Sequence, residues 1–190
     1  MSLDEIRYVD IVLGLIAFLS FGWGMKRYFI QPDTKSLPMY FVSEVGAFCA
    51  VIQILSLVIF HDNMNVVTAF IGAILYTISI FLFWHSIYIN RKNKLTLAYM
   101  DDEPKFLVQN GAYKFVRHPF YLAYIITWFA TPLILLEPLL LITSFIMLFT
   151  YIGSAIMEEN KFSYSPLSED YKVYKKNTGM LVPKLTIKLG

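Results

Sequence analysis

MNVVTAFIGAILYTISIFLFWHSIYIN, residues 64–90, contains no Asp, Glu, Lys or Arg. A bilayer core about 30 Å thick takes about 20 mostly apolar residues per helix, and this stretch is long enough. Inside hydrocarbon every backbone N–H and C=O needs an internal partner, so such a run folds as a helix. Working outward, four more segments approach the same length: 9–29, 37–60, 119–136 and 138–157. The chain therefore reads as an all-α integral membrane protein, one membrane domain over 1–190 with five transmembrane helices. Only Glu137 separates the last two, which predicts a tight antiparallel hairpin. Pro119 and Pro138 sit where a first-turn proline is tolerated. Pro132, inside the fourth helix, is expected to bend it. Asp10, Lys26 and Arg27 fall near the ends of the first helix, where charged side chains reach back to the interface.

Composition agrees with the membrane class. Hydrophobic residues make up 57% of the chain and charged residues 16%, against about a quarter charged in soluble domains. A net charge of +2 says little in bulk, and no nucleic acid is expected as a partner. The placement of charge says more. With five spans, the 26–38 loop, the 91–118 loop and the tail after 157 share one side and hold 15 of the 16 Lys and Arg residues. Arg7 alone falls on the other. The positive-inside rule then puts the N-terminus outside and the C-terminus in the cytoplasm. The acidic N-terminus and the lack of a small-residue cleavage site read as a retained helix, not a signal peptide. Cys49 is the only cysteine, so no intramolecular disulfide forms. It sits in an apolar run and reads as a packing residue. One cysteine and three scattered histidines build no zinc site, and no metal is expected.

Chemistry concentrates on the predicted cytoplasmic side. The richest stretch is Asn110-Gly111-Ala112-Tyr113-Lys114-Phe115-Val116-Arg117-His118-Pro119-Phe120-Tyr121-Leu122; Glu158-Glu159 follows the fifth span, and Glu169-Asp170-Tyr171-Lys172-Val173-Tyr174 leads to Val182-Pro183. Taken singly, Tyr113 and Tyr121 are what an interfacial aromatic belt contains, and Arg117-His118 suits any helix flank. Two acids at a helix C-terminus oppose its dipole, which favours a functional reason for Glu158-Glu159. Glu44 lies inside the second span, where a carboxylate usually faces a cavity or a partner. His85, near the cytoplasmic end of the third, suits either a cleft lining or an interface. Asp101-Asp102-Glu103 and His61-Asp62 read as polar turns.

Gly-x-Tyr-x-x-x-Arg-His-Pro-x-Tyr, an apolar hairpin, Glu-Glu, a Tyr-x-x-Tyr helix and a closing proline, in that order over 111–183, resemble the isoprenylcysteine carboxyl methyltransferase family and its phospholipid methyltransferase relatives. Ala123 and Ser168 stand where that family often has glycine, and Thr178-Gly179-Met180 replaces a more basic approach to the last proline. The resemblance implies methyl transfer from S-adenosylmethionine to a lipid or lipid-modified acceptor, with cytoplasmic cofactor-binding elements at 105–122 and 157–184 and a cytoplasmic C-terminal helix. It implies that Tyr113, His118, Pro119, Tyr121, Glu158, Glu159, Tyr171 and Tyr174 hold the cofactor. Arg117, His118 and Glu159 are the catalytic candidates, and Arg117, Glu44 and His85 the substrate-binding ones. An aromatic face suits a sulfonium cation, and a carboxylate suits ribose hydroxyls or an ammonium. Alternative readings are a phospholipid amine N-methyltransferase, an NADPH-dependent membrane sterol reductase with a related His-Pro signature, and a non-enzymatic scaffold. Phe120 and Ala123-Tyr124 depart from the reductase pattern. An apolar mid-membrane argues against a transporter.

Overall fold

The computed structural model describes residues 3–32, 36–60, 64–92, 95, 99–100 and 103–184. Its helices are α1 (Leu3–Tyr28), α2 (Leu37–Ile59), α3 (Val66–Asn90), α4 (Pro119–Leu135), α5 (Leu141–Ser163) and α6 (Ser168–Asn177), with 3-10 turns at Gly111–Lys114 and Pro138–Leu140. Among the described residues there is no strand, only isolated bridges Phe29–Leu95 and Val116–Gly179. Among the described residues four helices are long and apolar enough to cross a membrane, α1, α2, α3 and Pro138–Ser163; Pro119–Leu135 is a shorter apolar helix. The expected spans coincide with helices, and the shifts are largest at two edges. The first helix begins at Leu3, not residue 9, and the last runs to Ser163, not 157, because helical hydrogen bonding continues past the apolar run. His61, Asp62, Asp101 and Asp102 lie outside the described residues.

α3 starts where Asn65 closes a capping box: its side chain accepts from Val67 N and Thr68 N, and the Thr68 side chain answers the Asn65 backbone. α3 and α4 then pack most closely. Gly72 makes this possible, since a Cβ there would lie 2.0 Å from Cγ1 of fully buried Ile134. Gly72→Ala is expected to lower stability by about 1–3 kcal/mol through overpacking; an unchanged thermal melt in detergent would refute this. Hydroxyls stitch the same seam: Tyr76 to Thr131 at 2.7 Å, and Ser79 to the Ala123 carbonyl at 2.6 Å and Thr127 at 2.7 Å. Such links recur between helices in lipid, where apolar packing alone gives little specificity.

The fourth helix carries Pro132 in its interior. Proline has no N–H, so the carbonyl four residues back loses its helical donor. That carbonyl belongs to Trp128, and it is taken by Gln53 Nε2 of α2 at 2.9 Å and Ser144 Oγ of α5 at 2.5 Å. Gln53 also donates to Thr143 at 2.9 Å. A sequence irregularity in α4 thus becomes a three-helix knot. The hairpin closes through Leu136, the only described non-glycine residue with positive φ, at 53°. Asp10 corrects one expectation. It does not reach the interface but is fully buried, because it faces the bundle one turn before Gly14, which abuts Tyr76.

Candidate active site

Gly111 has φ +57°, and a Cβ there would strike His85 and Ile89 of α3, so glycine is needed for both conformation and space. The turn it opens buries Tyr113. Its hydroxyl accepts from Asn90 Nδ2 at 2.9 Å, and its carbonyl accepts from Tyr174 OH at 2.6 Å. The chain then runs beside the C-terminal strap: Arg117 N donates to Gly179 O at 2.8 Å and His118 N to Met180 O at 3.1 Å. Gly179 is indispensable here, since a Cβ would sit 1.7 Å from the Val182 carbonyl. The sequence signalled it only as a departure from the family pattern.

Glu159, 3% exposed, is the electrostatic centre. Arg117 donates to its Oε1 through Nε at 2.8 Å and NH2 at 2.7 Å, His118 Nε2 lies 3.1 Å from the same oxygen, and Lys175 Nζ lies 2.8 Å from Oε2. The remaining guanidinium nitrogen of Arg117 donates to the Thr178 and Lys175 carbonyls at the end of α6. Arg117 is therefore a clamp joining α5, α6 and the strap. Glu158, one residue earlier, faces differently. It accepts from Tyr121 OH at 2.6 Å, lies 3.4 Å from His118 Nδ1, and keeps 29% of its side chain exposed. Both imidazole nitrogens thus face carboxylates.

Burial disfavours a charged His118, yet the hydrogen bonds and charges of Glu158 and Glu159 outweigh it and raise its pKa above the ordinary 6.5. A raised folded-state pKa gives stability that is full below the unfolded value and lost as pH climbs through the folded one. Melting temperature is expected to fall with rising pH above about 6.5, and His118→Gln to flatten that slope. A slope unaltered by the substitution would exclude His118 as its source.

A cavity of about 550 Å³ opens beside these groups. Tyr113, Arg117, His118, Pro119, Tyr121, Glu158, Tyr171 and Tyr174 all line it. Tyr99, its hydroxyl 2.9 Å from Ser154 Oγ, and Tyr151, stacked on Tyr121 at 5.6 Å, join them without having been signalled by any motif. Three sequence candidates do not line it. Glu159 lies behind the wall, its carboxylate taken up by Arg117, His118 and Lys175. Glu44 is exposed on α2, whose Met39, Val42, Ser43, Gly46, Ala47 and Ala50 meet the cavity instead. His85 stacks on Phe81 at 5.8 Å and backs the Gly111 turn. The physical reason is rotational: side chains one residue apart on a helix diverge by about 100°. Cys49 is buried as expected, and the described residues contain no cluster of three metal-ligating side chains.

Fold and site together define a helical membrane protein whose one end joins an ion-paired polar pocket to an apolar cavity. The chain belongs to the phospholipid methyltransferase family, which matches residues 67–165, from α3 to the end of α5. It is similar to protein-S-isoprenylcysteine O-methyltransferase of Saccharomyces cerevisiae, 34% identical over 77 residues, 40% of this chain and 32% of the relative. It is also similar to methanethiol S-methyltransferase 1 of Bradyrhizobium diazoefficiens, 32% identical over 71 residues, 37% of this chain and 24% of the relative. The matches thus span a third or less of each curated relative's length. No solved structure matches the chain significantly.

Proposed function

We propose that the chain transfers a methyl group from S-adenosylmethionine to a lipid or lipid-modified acceptor, in the manner of an isoprenylcysteine carboxyl methyltransferase, at the cytoplasmic membrane face. Membership of a methyltransferase family supports the reaction class. The observation that carries the site is the placing of Glu158, His118 and stacked Tyr121 on one wall of the cavity. The side bias of Lys and Arg supports the cytoplasmic orientation, N-terminus outside.

The residues present fit the cofactor. Half-open Glu158 suits its hydroxyls or ammonium, and the tyrosines lining the cavity, Tyr99, Tyr113, Tyr171 and Tyr174 among them, suit a cation. When bound, S-adenosylmethionine supplies a methyl group already activated on sulfur. The protein's part is to orient the two partners and exclude water. His118 has both ring nitrogens against carboxylates and so has no free lone pair to act as a base. This favours an acceptor that is already an anion over an amine that must lose a proton. A carboxylate acceptor would take the methyl group without losing a proton, so the site would need no base for it. The Arg117–Glu159–Lys175 cluster holds α6 against the site and acts on the reaction by position.

The test is calorimetry on the purified chain with S-adenosylmethionine and with NADPH, followed by labelled-methyl transfer to apolar carboxylates and to an aminophospholipid. Micromolar binding of the methyl donor and labelled ester are expected. NADPH binding alone would move the chain to reduction chemistry, and binding of neither would overturn the reading.

A further inference from the structure

The cavity ends at one level on the four helices that wall it. The lining residues farthest along each helix from Tyr121 and Glu158 are Phe18 on α1, Ala50 on α2, Trp128 on α4 and Tyr151 on α5. They interlock. Phe18 packs edge-on to Trp128 with centroids 4.9 Å apart, and Trp128 Nε1 donates to Tyr151 OH at 3.2 Å. Directly beneath lies the knot in which fully buried Gln53 and Ser144 hold the Trp128 carbonyl. Parting that layer would leave several polar groups unmet where no water replaces them, so the floor resists being pushed down. Above it the walls are apolar, Phe21, Met25, Val42 and Tyr124 among them. The cavity borders the bilayer side at Gly22 and Ala47, both exposed.

Tyr121, at the polar end, precedes Trp128 on the same helix by two turns. At 1.5 Å per residue that is about 10 Å, the length of an extended chain of about eight carbons. We propose that Phe18 and Trp128 form a ruler that selects acceptors carrying a single apolar tail of medium length, about eight carbons, seated upright between α1, α2, α4 and α5. The inference rests on the methyl-transfer reading for what happens at the polar end. The tail site itself rests on the cavity's shape. A tail much longer than the pit has to leave sideways past Gly22 and Ala47, losing its contact with the floor.

The chain has three tryptophans. Replacing Trp23 and Trp84 by phenylalanine leaves fluorescence from Trp128 alone. Straight-chain carboxylic acids brominated at the terminal carbon, from about 4 to 16 carbons, are titrated into this variant in nanodiscs, since bromine quenches an indole it touches. Trp128 is 3% exposed, beyond reach of bromine in the bilayer, whereas Trp23 at 54% reports that background when kept as the sole tryptophan. Quenching of Trp128 is expected to peak near eight carbons and to fall about fivefold by 16. Phe18→Ala, which deepens the floor, moves the peak outward by about two to four carbons; Ala50→Leu, which fills it from α2, moves the peak inward. Quenching that is flat with length, or strongest at 16 carbons, overturns the ruler. Methyl transfer measured on the unbrominated series separates the two readings. A quenching optimum without transfer at any length refutes the reaction but supports the tail site, and transfer indifferent to length refutes the ruler but supports the reaction.

Discussion

Glu159→Ala is expected to lower the melting temperature of the detergent-solubilised protein by about 10 °C and to abolish binding of the methyl donor. Three basic side chains converge on this carboxylate, two of them buried with it. Removing one partner of a buried ion pair costs about 3–5 kcal/mol, because the other charges stay desolvated and uncompensated. For a chain of this size each kcal/mol shifts the midpoint by about 2–4 °C. Arg117 would also lose the group that orients it towards the Thr178 and Lys175 carbonyls, so α6 and the strap would loosen together. The double variant Glu159→Ala/Arg117→Met should be less destabilised than the sum of its parts, as expected for groups in direct contact. A melt within a degree of the wild type would show that Glu159 is not the anchor described.

Glu158→Gln is expected to leave the melt nearly unchanged while weakening S-adenosylmethionine about 10- to 100-fold by calorimetry. Glu158 borders the cavity with 29% of its side chain open, and its contacts, Tyr121 and His118, face the same space. A charge-assisted hydrogen bond contributes about 1.5–3 kcal/mol, which is one to two orders of magnitude in affinity. Unaltered affinity would remove Glu158 from the cofactor site. The two substitutions, one residue apart, thus separate an anchor from a ligand contact. A loss of stability with Glu158→Gln as large as that with Glu159→Ala would refute that division.

Much of this was legible in the chain itself. The apolar lengths and the single residue left between Leu136 and Pro138 specify the helices and the hairpin, because a bilayer tolerates few other backbone arrangements. Residues 111–121 announced the pocket wall, and Glu158-Glu159 its facing helix. The direction each side chain takes was less legible. Helices apolar on all sides carry no stripe to say which face turns inward, so Asp10 read as interfacial and is buried, while Glu44 read as facing a cavity and is exposed. The sequence did not show that Arg117, which lines the cavity, also clamps α6, since its partners Thr178 and Lys175 are brought to it by the folding back of α6.

Apolar length and charge placement alone require a helical bundle in the bilayer with its polar chemistry gathered at one end. The reason is local: hydrocarbon punishes unpaired backbone and unpaired charge residue by residue, so length and composition suffice. Packing in three dimensions makes Glu159 an anchor while Glu158 opens to the cavity, and lets Pro132 tie three helices through the Trp128 carbonyl. It also set the cavity's floor at Phe18 and Trp128. Those outcomes depend on helix rotation and close approach, which arise from side chains far apart in the chain meeting at contact distance.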